Sequence, residues 1–169
     1  DNIINNCNTA YYISGFSIGG ITALETARIL IAKGHPPEGV ILLDSIYPRW
    51  PLQSPVLFKL IKYVSRLCKL DKKIINNRRL ETMLSDPGII SQLEALPKHR
   101  IQPVKLPVAL ILTKGMWMFH PLLFSSWSRL FKNHLTQYLV SGLHGEMFQP
   151  PHLQTLTNTI QKIISRKNV

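Results

Sequence analysis

Ser17, Asp44 and His144 have the types and the chain order that acyl transfer needs. A serine hydroxyl is a poor nucleophile at neutral pH. It requires a base within hydrogen-bond reach and a third group that orients the base. Ser17 stands in Gly15-Phe16-Ser17-Ile18-Gly19, followed at once by Gly20. Between a strand and a helix, G-x-S-x-G is a nucleophile elbow, a tight and strained turn that exposes the serine Oγ. Such a turn leaves almost no room beside the serine, which accounts for Gly15 and Gly19. Gly20 lets the following helix start close to the sheet. The competing reading is an ordinary strand-to-helix turn in which Ser17 only caps the helix.

Imidazole suits the base because it titrates near neutral pH, and such proton transfer contributes roughly 100- to 10,000-fold. Six histidines compete: His35, His99, His120, His134, His144 and His152. His35 follows the elbow helix at the wrong end of the sheet, His99 lies in a basic segment, and His134 precedes its strand. His152 is in or near the last helix. His144 sits just past a strand in the glycine-flanked loop Ser141-Gly142-Leu143-His144-Gly145, free to reach inward, and is the preferred base, with His120 second. As an alternative it is a surface-loop histidine. For the orienting acid, Asp44 closes an apolar strand and would stand beside Ser17; its competing role is a turn or helix-cap aspartate. The next strand ends in Thr113-Lys114-Gly115, without a carboxylate, and Glu146 is too near His144 in sequence to orient it.

The elements that must hold these residues follow from the hydrophobic pattern. Thr9 to Ile13 suits a buried strand leading into the elbow. Ile21 to Lys33 is helical, with Ile21, Leu24, Ala27 and Ile31 near one side, and Gly34-His35-Pro36-Pro37 stops it. Gly39 to Leu43, Pro107 to Thr113 and Leu135 to Val140 are the next strands, the first two apolar throughout as in a parallel sheet buried on both faces. Gly115 to Pro121 reads as a loop and Leu122 to Phe131 as a helix. A last helix from about Gln149 or Pro151 carries Leu153, Leu156, Ile160, Ile163 and Ile164. Strands alternating with helices predict an α/β fold with a mostly parallel sheet, in which working residues collect at the carboxyl ends of strands. Ser17, Asp44 and His144 all fall there.

Between the second and third strands the character changes. Ser54-Pro55 is a helix start, and Leu57, Leu60, Ile61, Val64, Leu67 and Cys68 follow at helical spacing, with Lys59, Lys62, Arg66 and Lys69 on other faces. Shorter helices fit Arg79 to Leu84 and Gly88 to Leu96. The segment 49–103 is too long for a plain connection and is expected to be a helical lid. It is also basic. Of the formal net charge of +11, +8 lies between Arg49 and Lys105, where twelve basic residues meet four acidic ones. Such a surface attracts anionic partners; solvated helix faces are the plainer account.

The 169 residues, 45% hydrophobic and 17% charged, describe one globular domain with a core of its own and exclude a disordered chain. No apolar run is long enough to span a membrane, and no segment has the pattern of a signal peptide. Cys7 and Cys68 form neither a disulfide framework nor a metal pattern, which predicts reduced thiols and a cytoplasmic setting. No metal or cofactor is expected. The basic residues match no nucleic-acid motif, so nucleic acid is not an expected partner, and a nucleic-acid or membrane-surface binder ranks below the enzyme.

The order Ser, Asp, His is that of α/β-hydrolases. Gly15 to Gly20, the Ala-Leu-Glu-Thr-Ala-Arg helix after it, Leu42-Leu43-Asp44-Ser45 and the Gly142-Leu143-His144 loop with Met147 resemble the type I thioesterase domains. These domains end polyketide synthases, nonribosomal peptide synthetases and fatty acid synthase. In them the acid follows the strand after the elbow helix, then comes the lid, then the histidine. In most lipases and esterases of the fold the acid lies one strand later, where this chain has Lys114. The resemblance covers the whole chain and implies a single α/β-hydrolase thioesterase domain over 1–169 with the lid inserted at 49–103. It implies a substrate carried on the phosphopantetheine of an acyl or peptidyl carrier protein, Ser17 as nucleophile, His144 as base, Asp44 as its partner and the Ile18 N–H as an oxyanion donor. Only sixteen residues precede Ser17, fewer than that family carries. The first strands and the loop with the second oxyanion donor are therefore expected to be missing, and the chain, which starts at Asp1, to be part of something longer or trimmed. A non-catalytic remnant, or a carrier-binding module of the same fold, is the alternative.

Overall fold

The computed structural model describes residues 10–45, 87, 88, 91, 100–117 and 120–166, with backbone alone for 120–125. The chain divides into two compact units, Asp1–Tyr47 with Ile101–Val169 and Pro48–Arg100. The helices expected within 49–103 lie almost wholly outside the described residues.

In the first unit, β1 (Tyr12–Phe16), β2 (Gly39–Leu43), β3 (Val108–Thr113) and β4 (Leu135–Val140) form one sheet in the order β1-β2-β3-β4. Each neighbouring pair is parallel, as the uninterrupted apolar strands predict. In register, Phe16 lies opposite Leu43, and Leu43 opposite Ile111, so the strands finish at one edge of the sheet. β2 and β3, the central pair, are buried along their whole length. β1 and β4 are the edge strands among those described.

Alternation along the strands divides the core into two faces. Ile41, Leu43, Ala109 and Ile111 join Val140, Met147 and Leu156 in one cluster, with Tyr12, Phe16, Tyr138, Ile160 and Ile163 packed around it. Leu156, Ile160 and Ile163 bring α4 (His152–Ser165) onto this face. The expected apolar stripe of α4 is thus narrower than predicted, because Leu153 and Ile164 are exposed. Against the opposite face lies α1 (Gly19–Ala32), which buries Gly20, Ile21, Ala23, Leu24, Ala27 and Leu30. Leu30 replaces the expected Ile31, which is exposed; it follows Ala27 by three residues and stays on the helix side that begins at Gly20 and Ala23. Fully burying an aliphatic side chain of this kind contributes about 1.5–3 kcal/mol.

Two boundaries differ from the sequence expectation. β1 starts at Tyr12 and runs through Ser14-Gly15-Phe16, so the strand pairing continues into the elbow itself. The expected loop after β3 holds a short helix, α2 (Lys114–Trp117), before α3 (His120–Phe131). Trp127 and Phe131 of α3 are fully buried and stack at 5.8 Å. No helix among the described residues is long and apolar enough to cross a membrane.

Candidate active site

The elbow is built by backbone pairing and by two glycines. The Ser17 N–H donates to the Leu43 carbonyl at 2.8 Å, extending the β1–β2 ladder by one bond. The next residues must then turn into α1, and Ser17 adopts φ 54°, the left-handed region. For a non-glycine residue this costs about 1–3 kcal/mol and persists only where the surroundings enforce it. A side chain on Gly15 would overlap the Gly19 carbonyl oxygen, and one on Gly20 would overlap the Ser45 Oγ. The tight fit expected at Gly15 and Gly20 is thus present, whereas at Gly19 a Cβ would meet nothing within 4 Å, against the expectation for it. The helix cap is Ile18, without a side-chain capping bond. Among the described residues the Ser17 hydroxyl makes no bond to α1, so the helix-cap reading lacks its hydrogen bond. The Gly20 N–H of α1 donates to the Ser17 carbonyl at 3.3 Å. No described group accepts the Ile18 N–H.

Asp44 is fully buried at the end of β2, also left-handed, at φ 44°. Its N–H donates to the Ile111 carbonyl at 2.8 Å. The carboxylate turns toward β3, where the Thr113 N–H donates to Oδ1 at 2.6 Å and the Thr113 hydroxyl to Oδ2 at 2.7 Å. Charge-assisted bonds of this length are about twice as strong as neutral ones. Oδ2 also faces the His144 Nδ1 at 3.3 Å. A carboxylate only accepts, so this contact assigns the proton of a neutral His144 ring to Nδ1 and leaves Nε2 as a base.

His144 is held from the elbow side as well. The Phe16 ring stacks on the imidazole at 4.6 Å between centroids and 23° between planes, and Phe148 meets the Phe16 edge at 5.0 Å. Since Phe16 directly precedes Ser17, the stack ties the imidazole to the strand that leads into Ser17. Asp44 and His144 thus meet, and Ser17 lies one residue from a ring in contact with His144. The Ser17 hydroxyl and the imidazole are not hydrogen-bonded to each other among the described contacts. Catalytic hydrogen bonds commonly tighten only when substrate is bound. The other described histidines are placed elsewhere: His35 beyond the far end of α1, His134 before β4, His120 and His152 at the first residues of α3 and α4. His99 lies outside the described residues. No cluster of three or more metal-ligating side chains occurs among the described residues.

Sequence reasoning missed Thr113, Phe16 and Ser45. Ser45 is fully buried beneath the elbow; its hydroxyl donates to the Gly15 carbonyl at 3.2 Å, and its own carbonyl accepts the Trp127 Nε1–H at 3.2 Å. Thr113 was visible only as the end of a strand lacking a carboxylate. Had the register Leu43–Ile111 been known, its place just past the Asp44 position would have marked it as the carboxylate's anchor. Thr113→Val keeps the shape and the backbone donor but removes the hydroxyl. It is expected to destabilise the fold by about 1.5–3 kcal/mol in denaturant titration, the worth of a hydrogen bond to a charged group. An unchanged unfolding midpoint would show the hydroxyl contributes nothing.

Known proteins resemble the chain in sequence and in fold. The family model for the thioesterase domain matches residues 3–164. A non-reducing polyketide synthase, ntnG of Nectria sp, is 25% identical over 182 aligned residues, which cover 92% of this chain and 9% of the synthase. The chain therefore spans only a small part of that relative. Among solved structures, the Vlm2 thioesterase domain bound with a dodecadepsipeptide matches with TM-score 0.61 and 22% identity, over 89% of this chain and 67% of that one. The NocB thioesterase domain in covalent complex with a fluorophosphonate nocardicin G analog matches with TM-score 0.62 and 18% identity, over 95% and 68%. At these identities the structural matches establish the shared fold.

Proposed function

The chain belongs to the thioesterase domain family, a family of hydrolases, and on that premise we propose that it releases an acyl chain from a carrier-protein phosphopantetheine thioester through an acyl-Ser17 intermediate. A polyketide chain is favoured over a peptidyl one, because a polyketide synthase matches nearly the whole chain by sequence, whereas the nonribosomal peptide synthetase that covers as much of it does so at 19% identity and shares the fold alone. The observation that carries the reading is the contact of His144 Nδ1 with the buried Asp44, beside a serine held left-handed at the end of the neighbouring strand.

In this mechanism Ser17 Oγ attacks the thioester carbonyl while His144 Nε2 takes its proton. The tetrahedral oxyanion collects the Ile18 N–H, which has no described acceptor to give up. As the intermediate collapses, the C–S bond breaks and the imidazolium returns the proton to the phosphopantetheine sulfur, which leaves as thiol. Water, or a hydroxyl or amine of the bound chain, then attacks the Ser17 ester with His144 again as base. The proton goes back to Ser17 Oγ, and a free acid or a ring is released. Asp44 stays ionised throughout and stabilises the imidazolium.

The test is capture by a fluorophosphonate probe, since the similar NocB domain was captured by a fluorophosphonate. Labelling of the folded chain, mapped by mass spectrometry to the peptide holding Ser17, is the expected result. Folded protein that stays unlabelled sinks the enzyme reading in favour of a carrier-binding module or remnant. The basic segment supplies a docking face for an acidic carrier in the same proposal. Changing Lys59, Lys62 and Lys69 to Glu is expected to raise KM for a carrier-bound substrate and to leave a small free thioester unaffected. Equal damage to both substrates would remove the docking role.

A further inference from the structure

His144 stands in a loop that its own sequence does little to fix. Gly142 and Gly145, on either side, both take positive φ, 96° and 87°. Glycine reaches such angles freely, so the loop has many alternatives to the conformation that puts Nδ1 on Asp44. Part of the constraint is local: the Leu143 N–H donates to Glu146 Oε2 at 3.0 Å, and the Leu143 side chain lies against Gly115. Phe16 and Asp44 hold the imidazole itself, and a further constraint on the loop comes from α4. Its first residue, His152, is fixed to the preceding turn by its N–H, which donates to the Gln149 carbonyl at 2.8 Å. From there the ring reaches back to the loop. Its Nδ1 is hydrogen-bonded to the Ser141 hydroxyl at 2.9 Å, and its face covers Gly142 so closely that a Cβ there would sit 2.9 Å from His152 Cγ. The same ring thus bonds to one loop residue and covers the α-carbon of the next.

We propose that His152 is a positioning residue for His144, locking the loop through Ser141 and the Gly142 backbone so that the imidazole stays on Asp44. The proposal deepens the acyl-transfer reading and rests on it for its kinetic consequence. The role is selective for function because the ring holds no part of the core cluster, whereas a displacement of His144 by about an ångström is enough to lower a reaction rate by about 100-fold. Gly142 then has a second reason to be glycine besides its φ, since any side chain would push the ring off the loop.

The experiment uses the full chain with Ser141→Ala, His152→Phe, their double variant and His152→Asn. Phenylalanine keeps the packing and loses the bond, whereas asparagine can place a polar atom where Nδ1 was. Three quantities are read: the rate of labelling by a fluorophosphonate probe, the His144 Nδ1 proton in NMR spectra of histidine-labelled protein, and the melting midpoint. Expected are labelling about 10- to 100-fold slower in Ser141→Ala and His152→Phe, the double variant no slower than the slower single, and recovery to within a few-fold in His152→Asn. The His144 Nδ1 proton should broaden or shift in the slow variants while the melting midpoint holds. Wild-type labelling and an unchanged His144 signal in both single variants overturn the proposal. So does a loss that only follows a fallen melting midpoint and is not recovered by asparagine. The Ser141 hydroxyl also donates to Thr155 Oγ1 of α4 at 3.5 Å. Should His152→Phe not fold, Ser141→Ala therefore decides together with Thr155→Val, which removes that second contact alone and is expected to label at the unaltered rate. If the unaltered chain takes no label while its His144 signal still responds to Ser141→Ala, the thioesterase reading fails and the positioning role stands.

Discussion

Ser17→Ala is expected to abolish probe labelling and to lower thioester turnover by about a million-fold, the scale seen when an activated serine nucleophile is deleted. The elbow itself should survive the change. Its position depends on the Ser17 N–H bond to Leu43 and on the close approach of Gly15 and Gly20 to their neighbours, none of which uses the hydroxyl. The helix uses only the Ser17 carbonyl, which accepts the Gly20 N–H at 3.3 Å and which alanine keeps. An unfolding midpoint near that of the unaltered chain is therefore part of the prediction. Ser17→Gly makes the complementary point. Glycine accepts φ 54° without strain, so the variant should be more stable by about 1 kcal/mol, after allowing for glycine's greater freedom when unfolded, and equally inactive. A serine whose removal stabilises the fold and stops the reaction is held in its conformation at a cost, which a merely structural turn has no reason to bear. Retained labelling in Ser17→Ala would move the nucleophile elsewhere and end the proposal.

What could be read from the sequence, and what could not, divides along a physical line. β2 and β4 were visible with their bounds because each is a short run closed by punctuation: Gly39 and Asp44 for one, Ser141-Gly142 for the other. Strand ends then brought Asp44 and His144 to one edge of a parallel sheet before any coordinate was known. The hidden features are those that depend on register or on which side of a residue faces a neighbour. Thr113 is an anchor because β3 runs one residue past the Asp44 position, and spacing along the chain cannot reveal a pairing between residues 69 apart. Gly15 and Gly20 are crowded as expected, but that Gly19 is not, and that Ser45 is what lies under Gly20, depends on which way each Cβ would point. Phe16 stood in the expected turn as the residue before the serine; only the fold of the His144 loop turns its ring into a support for the imidazole. Residue types and the strand ends that carry them were legible, and the contacts between distant segments were not.

Asp44→Asn is expected to lower turnover by about 10,000-fold with the fold intact, and the hydrogen-bond pattern says why. The amide has two orientations. With its NH2 group at the Oδ1 position it would point a donor at the Thr113 N–H, another donor 2.6 Å away in the native contact, so that orientation is rejected. With the carbonyl there instead, the NH2 group occupies the Oδ2 position and faces both the Thr113 hydroxyl and the His144 Nδ1. The hydroxyl can rotate to accept. The imidazole can accept only by moving its proton to Nε2, and a ring with Nε2–H cannot take the proton of Ser17. Deprivation of the correct tautomer, with geometry kept, has a known scale of about 10,000-fold in serine hydrolases. Asparagine also tolerates the left-handed conformation at φ 44°, so the backbone is not the source of the loss. Asp44→Ala differs in kind: it leaves both Thr113 donors without their buried acceptor and should destabilise the fold by about 1–3 kcal/mol for each. Single-turnover acylation of the folded Asn variant measures the chemical step directly. A rate within tenfold of the unaltered chain would show that Asp44 does not set the tautomer of His144, and the proton path would need another orienting group.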